Sequence, residues 1–445
     1  MMKRLTAAAV ALSLMNGTAD AAQKVTEFRL ENGLQVVVIE DHRAPAVSQL
    51  LWYRTGGSDG PPGKSGIAHF VEHLMFKGTE KFPPGVFRDV VQELGGSDNA
   101  FTGRDFTAYV QRIAADRLGT IMEMEADRMH GIIISDEDIE TERRVVLEER
   151  NQRTDTNPGS LFREQSSASL YLNHPYGVPV IGWKHEIEAL NRDDIFGFYR
   201  RHYAPNNAIL VLAGDVTVDE ARVLAERYYG PLPANPEIEA RQRPQEPPHL
   251  AGRRLVFEDE RISLRQVFRT YLAPERNPGD QRQAAALEML ETVLSGDGLS
   301  SFLKQKLEVE EQIAIHSDAF YSGATLDRSE FGLIVLPAED VSLEEAEAAL
   351  DRTLAAFLES EIEEEQLRRI RKAARAGWIY EQDSVHGLAF RYGRELMAGL
   401  TLQDIAEWPE LIQSVSAEEI LQAAREVFLP ERSVTGWLRS PEGES

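Results

Sequence analysis

The sequence contains no cysteine. Disulfides, thiolate metal sites and cysteine-borne lipid anchors are therefore excluded, and any metal must be held by His, Asp or Glu. Positive charge is also scarce: 48 Lys and Arg stand against 73 Asp and Glu, for a formal net charge of −25. Binding a phosphate backbone needs clustered cations, so nucleic acid is excluded as the partner, and cationic or neutral partners fit better. The acids also serve solubility. Long apolar runs are missing too. The main one reaches only from Leu5 to Met15, short of the ~20 residues that a membrane-spanning helix needs. What is present is an ordinary globular composition, 42% hydrophobic over 445 residues, enough for more than one core and for two domains of about 200 residues each.

The N-terminus reads "MMKRLTAAAVALSLMNGTADA". Lys3 and Arg4 precede the apolar run, and Ala19-Asp20-Ala21 forms a small-x-small cleavage site. The pattern predicts an export signal over 1–21, a mature chain without a membrane span, and a periplasmic location in a two-membraned bacterium or secretion otherwise.

Beyond the signal, "FRLENGLQVVVIED" predicts two strands around an Asn32-Gly33 turn, and "VSQLLWYRTGG" a third. Helices are predicted over 65–77, 84–94, 116–131, 136–153 and 191–202. "NAILVLAGDV" reads as a fully buried strand, and Thr217 with Glu220 opens another helix through a capping box. This first unit spans 22–230. Residues 231–252, rich in Pro and polar side chains, read as a linker. From 253 to 445 the pattern restarts. Strands near 253–258 and 264–271, a helix at 280–294, a Gly-containing loop, the strand "FGLIVLP" and a long helix opened by Ser342 and Glu345 follow in turn. Two α+β copies of one unit are expected, strands first and helices after.

The stretch "SGIAHFVEHLMFKGTEKF" sets polar groups into an apolar helix. Ile67, Phe70, Val71, Leu74 and Met75 follow helical spacing, Ser65 is the expected N-cap and Gly78 the stop. His69 and His73 lie one turn apart on one face, with Glu72 beside them. In an apolar setting two histidines and a carboxylate are costly unless something binds or pairs them, which favours a metal site over satisfied core histidines. A catalytic zinc needs three protein ligands and an open position, with a carboxylate nearby to take a proton from water. H-x-x-E-H supplies two ligands and that base. For the third ligand the helix "DEDIETERRVVLEERNQR" offers Glu142 and Glu149, which share a face, whereas Glu148 points about 100° away.

"HFVEH", followed by "ERRVVLEE" with 75 residues between His73 and Glu149, resembles the pitrilysin/insulinase family of inverted-motif zinc peptidases. "GGSDNAFTGRDFTAY", "HPYGVPVIGW" and "NNAILVLAGDV" extend the resemblance over nearly the whole mature chain. It is closest to bacterial half-length members that work as two-chain particles, like the mitochondrial processing peptidase. The resemblance implies His69, His73 and Glu149 as ligands of one Zn2+ per chain, Glu72 as general base, and Glu142 as the carboxylate that orients the ligands. It also implies that Asn99, Ala100 and Phe101 bind substrate on an edge strand, where a peptide is held as an added strand. The implied fold is α+β, two homologous domains of mainly antiparallel sheet packed with helices, forming half of a clamshell chamber. The implied activity is endopeptidase action on peptides or unfolded polypeptides.

One feature of the family is missing. Its fully active members carry an Arg, and a Tyr seven residues later, just past the Gly-rich loop of the second half; here Glu308 and Ile315 take those places, with His316 adjacent. An acid is unfavourable where a cation should meet an oxyanion, and isoleucine donates no hydrogen bond. The expectation is a heterodimer in which a homologous chain supplies the Arg/Tyr pair. The competing expectations are a catalytically silent peptide-binding or assembly subunit, and a zinc site that only braces the helices.

Overall fold

In the computed structural model, which describes residues 24–296 and 301–441, the Asn32-Gly33 pair reverses the chain as its sequence suggests. Gly33 takes a φ of 89°, the left-handed region that a residue without Cβ adopts freely. Strand β1 (Val25–Arg29) thereby pairs antiparallel with β2 (Gln35–Glu40). The expected signal at 1–21 and part of the Gly-rich loop lie outside the described residues.

The first sheet is completed by β3 (Ala46–Tyr53), β4 (Ser97–Thr102), β5 (Thr107–Ala114) and β6 (Ala208–Gly214), in the order β1-β2-β6-β3-β5-β4. Only β2 and β6 run parallel. All seven residues of β6 are buried, as its unbroken apolar run demands of a central strand. Its helices are α1 (Ile67–Leu74), α2 (Val86–Glu93), α3 (Leu118–Gly131), α4 (Asp136–Arg150), α5 (Pro158–Leu170), α6 (Lys184–Ala189), α7 (Arg192–His202) and α8 (Val218–Tyr228). The expected capping box at Thr217 and Glu220 forms on α8. The helix predicted over 136–153 stops being α-helical at Arg150 and continues as one wider π turn, Asn151–Asp155.

Residues 231–252 hold no helix or strand, in keeping with their composition, yet they are pinned. Arg243 pairs with Asp59, Asp105 and Asp327 at 2.9, 2.5 and 2.9 Å. Glu246 accepts the backbone N–H groups of Leu172, Asn173 and His174.

The second sheet contains β7 (Arg253–Glu258), β8 (Gln266–Ala273), β9 (Ala314–Tyr321), β10 (Ser329–Pro337) and β11 (Ser433–Arg439), ordered β7-β11-β8-β10-β9. Its helices are α9 (Arg282–Ser295), α10 (Leu343–Glu359), α11 (Glu364–Glu381), α12 (Val385–Met397), α13 (Leu402–Ser414) and α14 (Ala417–Val427). This order repeats β2-β6-β3-β5-β4 strand for strand, with the single parallel pair, β7 with β11, in the same place. The repetition supports duplication where sequence identity could not. Strands do not all precede helices, however: β6 and β11 each return after the helices to the interior of their sheet.

The two units exchange helices. α5 lays Phe162 on the second sheet against Phe257 and Phe268, while α12 lays Leu388, Ala389, Leu396 and Met397 against Val37, Leu50, Trp52 and Val211 of the first. Each such fully buried side chain contributes ~1.5–3 kcal/mol, so the halves are held by apolar burial as well as by the pinned segment. Close approach needs a glycine on each side: Gly393 of α12 lies against the Trp52 ring and Gly436 of β11 against Phe162.

Candidate metal centre

α1 begins where two glycines cross. Gly66 takes a φ of 78°, and a Cβ there would strike Ile181 and Gly182. Gly66, not Ser65, is therefore the N-cap. The Ser65 hydroxyl instead accepts from the backbone N–H of Trp183 at 2.9 Å, and its own N–H donates to Glu186 at 2.6 Å. The helix ends at Leu74, a 3-10 turn covers Met75–Lys77, and Gly78 stops it at a φ of 92°. Ile67, Phe70, Val71 and Leu74 fill the core. On the other faces His69 and Glu72 are only 9% and 8% exposed.

α4 faces them. Ser135 caps it in a capping box with Asp138, and three acids occupy its first turn, where they complement the positive end of the helix dipole. Glu149 Oε2 lies 3.2 Å from His73 Nε2 and 3.6 Å from His69 Nε2. That oxygen is buried yet makes no hydrogen bond. The three ligand atoms lie within 4.8 Å of one another, and a tetrahedral ion with bonds of about 2.1 Å spaces its ligand atoms ~3.4 Å apart. The residues present fit a zinc ion. Glu142, the other acid on this face, stands behind: its Oε2 is 3.2 Å from His73 Nδ1 and its Oε1 2.5 Å from Lys77 Nζ. A carboxylate on the far ring nitrogen is the arrangement that fixes a ligand imidazole's tautomer and orientation.

Burial pushes the Glu72 carboxyl up to about 7, against the hydrogen bond from Thr102 and the nearby His73. Burial, reinforced by His73, lowers His69. Burial also disfavours the His73 cation, but Glu142 and Glu149 outweigh it and raise that group to about 9. Glu142 and Glu149 are both held below the usual carboxylate range, Glu142 against its own burial by His73 and Lys77, Glu149 chiefly by His73. Such opposed environments around neighbouring groups mark a functional site.

The three groups and Glu72 open into a cavity of about 1460 Å³ whose lining includes Asn99, Ala100, Phe101 and Thr102 of β4. β4 is the sheet's edge, paired with β5 on one side only, so its other row of backbone groups is available to an added strand. The strand's period of two splits its side chains. Ala100 packs on the helix-bearing core and Thr102 donates to Glu72, whereas the Phe101 ring turns to the opposite face and packs on Trp52 and Phe390 at 5.4 and 5.2 Å. Phe101 thus offers the cleft its main chain, not its ring.

Among the described residues, none of those lining this cavity comes from the second unit. Glu308 sits on a π-helical segment, Lys304–Glu310, and accepts from the Ser317 N–H and hydroxyl at 2.6 and 2.7 Å. Ile315 is 59% exposed on β9. Three neighbours of the site escaped the sequence reading: Thr102, Lys77 and Arg153, which pairs with Glu149 Oε1 at 2.8 Å. Lys77 and Arg153 each lie four residues after His73 and Glu149, one turn on, and that spacing was a usable signal. Thr102 offered none.

The insulinase (peptidase family M16) model matches residues 35–183, and the M16 inactive-domain model matches 189–374. The chain belongs to the M16 peptidase family. Within the family it is 29% identical to the zinc protease PqqE of Helicobacter pylori over 450 residues, covering 98% of this chain and 99% of that one. A solved protease structure from Helicobacter pylori superposes with a TM-score of 0.87 at 27% identity, over 94% of this chain and all of that one. The periplasmic protease PqqL from Escherichia coli shares the fold at 20% identity, with a TM-score of 0.81; 95% of this chain covers 48% of that one. Among the described residues of this family member, no helix is long and apolar enough to cross a membrane.

Proposed function

We propose that the chain is a zinc-dependent endopeptidase, the metal-bearing subunit of a heterodimer, acting on peptides or unfolded polypeptides laid along β4. The observation that carries this reading is the convergence of His69, His73 and Glu149 around one point, with Glu72 beside it at the wall of an open cavity. When bound, zinc would polarise the peptide carbonyl and acidify a water molecule. His69, His73 and Glu149 hold the ion, and Glu142 with Lys77 orients His73. Glu72 accepts a proton from the attacking water and returns it to the leaving amine. Its raised affinity for a proton, from burial, suits both transfers. The backbone of Asn99, Ala100 and Phe101 holds the substrate main chain, which leaves side-chain selectivity loose.

The need for a second chain rests on Glu308 and Ile315, which stand where the family places an Arg and a Tyr. Glu308 is engaged by Ser317, so a homologous chain would supply the pair. Residues 22–230 form the catalytic unit, 231–252 the linker and 253–445 the second unit of half a clamshell. Residues 1–21 direct the chain to the periplasm, in keeping with the fold it shares with the periplasmic protease PqqL.

The test is digestion of a mixed peptide pool by the mature chain, alone and with a homologous partner, beside its Glu72→Gln variant and a chelated control. Cleavage lost in both controls is expected. Cleavage that persists in Glu72→Gln rules out the base, and a rate that no partner raises rules out the heterodimer.

A further inference from the structure

The chain is strongly acidic, yet the mouth of its cleft is not. α4 and the π turn after it present Thr141, Glu142, Arg144, Val145, Glu148 and Glu149, then Gln152 and Arg153, to the cavity, one continuous helical face. Arg144 precedes the ligand Glu149 by ~7.5 Å of helix rise and Arg153 follows it by ~6 Å. The opposite wall contributes Arg88 of α2.

Several other charges in the lining are engaged within the protein, and Asp98 accepts from the Gln111 amide at 2.9 Å. Lys77 pairs with Glu142, buried Arg128 with Glu125, and Glu72 is held by Thr102. Glu148 accepts from the amides of Gln152 and Asn151. Arg88 and Arg144 have no carboxylate within 4.0 Å among the described residues; Arg144 donates only to the backbone oxygen of Glu140. Arg153 is 74% exposed and its single carboxylate partner is Glu149, whose charge a bound cation would share. Three arginines on two walls therefore face the cleft, Arg88 and Arg144 with no carboxylate in direct contact, although Asp98 lies within electrostatic range of Arg88 and Glu148 stands one turn from Arg144. A separation of ~6–7.5 Å from the metal ligand corresponds to about two residues of extended chain.

Resting on the peptidase reading, we propose that Arg88, Arg144 and Arg153 are specificity residues that select peptides carrying Asp or Glu about two residues from the cleaved bond. Composition alone favours cationic partners; in the cleft the charges balance, and the arginines whose guanidinium groups have no carboxylate in contact are the ones left to meet an acidic side chain, in a concave site that focuses their field.

The experiment uses short fluorescent peptides, identical except that the residues two before and two after the central bond are Asp, Gln or Lys. Binding is measured by anisotropy to the full mature Glu72→Gln chain, with and without zinc, and cleavage is followed with the unmodified chain and its partner. Asp peptides are expected to bind about tenfold more tightly than Lys peptides at low salt, with the ratio collapsing at about 0.5 M salt. The ratio is expected to fall towards one in Arg88→Gln/Arg144→Gln. The comparison among peptides on the unmodified chain stands even if that variant folds poorly. Equal binding of Asp and Lys peptides, or tighter binding of Lys, overturns the inference and leaves the peptidase reading intact. Failure to bind or cleave any of them overturns both.

Discussion

Thr102 Oγ1 donates to Glu72 Oε2 at 2.5 Å, joining the edge strand to the residue assigned as general base. On the proposed reading, the strand that would receive the substrate main chain also positions the proton acceptor through this bond. A hydrogen bond to a charged group contributes ~1.5–3 kcal/mol, which corresponds to about 10–100-fold in rate. Thr102→Val is expected to lower kcat by about that factor with KM little changed and zinc content intact, and Thr102→Ser to restore most of it. Steady-state kinetics with metal analysis on the same samples decides; equal activity of the Val variant would leave Thr102 no positioning role.

Metal binding and turnover should separate by residue. Glu72 contributes no ligand atom to the cluster, so Glu72→Gln should retain one zinc per chain while turnover drops by about 10²–10⁴, the usual contribution of a general base. Glu149→Gln replaces a proposed ligand and should lose the metal. Glu142→Gln, acting through His73 Nδ1, should weaken zinc about 10–100-fold without abolishing binding. Competition titrations with a chromophoric chelator rank the three. A variant order in which Glu72→Gln loses zinc first would make that carboxylate a ligand.

The legible part of this site was the part written within one helix. His69, Glu72 and His73 are set by α1 alone, and a spacing of four fixes their mutual geometry before any tertiary contact. The third ligand depends on how α4 docks. Its periodicity narrowed the choice to Glu142 and Glu149, and the docking gives each a distinct place, one between the imidazoles and one behind. In sequence Ser65 looks like any capping serine, while the glycine crossing with Gly182 that makes Gly66 the N-cap is visible only in three dimensions. α5 has little signal in the sequence for a related reason: its buried residues are Phe162, Ser166 and Leu170, a thin stripe, and it packs on the sheet of the other unit.

That exchange makes a stability prediction. A Cβ on Gly393 would fall inside the Trp52 ring, and Trp52 is 0% exposed and wedged between Phe101, Phe106 and Phe390, with no room to swing aside. Alanine should favour the helix by about 1 kcal/mol over glycine, but overpacking a core costs typically 1–3 kcal/mol. The clash should win at this position. Gly393→Ala is expected to lower the melting temperature, while Gly377→Ala, where an added Cβ meets nothing within 4 Å, should raise it slightly. Differential scanning calorimetry of the pair checks the sign of each.

The last residue of α7 should limit acid tolerance. Burial depresses His202 from 6.5 to about 4, against Asp59 and with help from Arg201 and Arg241, and its ring packs on Phe198 at 4.5 Å. The folded pKa lies below the unfolded one, so between pH 6.5 and 4 the unfolded chain binds a proton that the native chain refuses. Stability from this group is therefore complete above the unfolded pKa and is lost as pH falls through that window. Going from pH 7 to pH 5, the loss attributable to His202 amounts to about 2 kcal/mol. His202→Asn cannot titrate, so its urea midpoint should move less over the same interval than that of the unmodified protein, whatever its starting stability. Equal pH slopes for the two proteins would show that His202 titrates alike in the folded and unfolded chains.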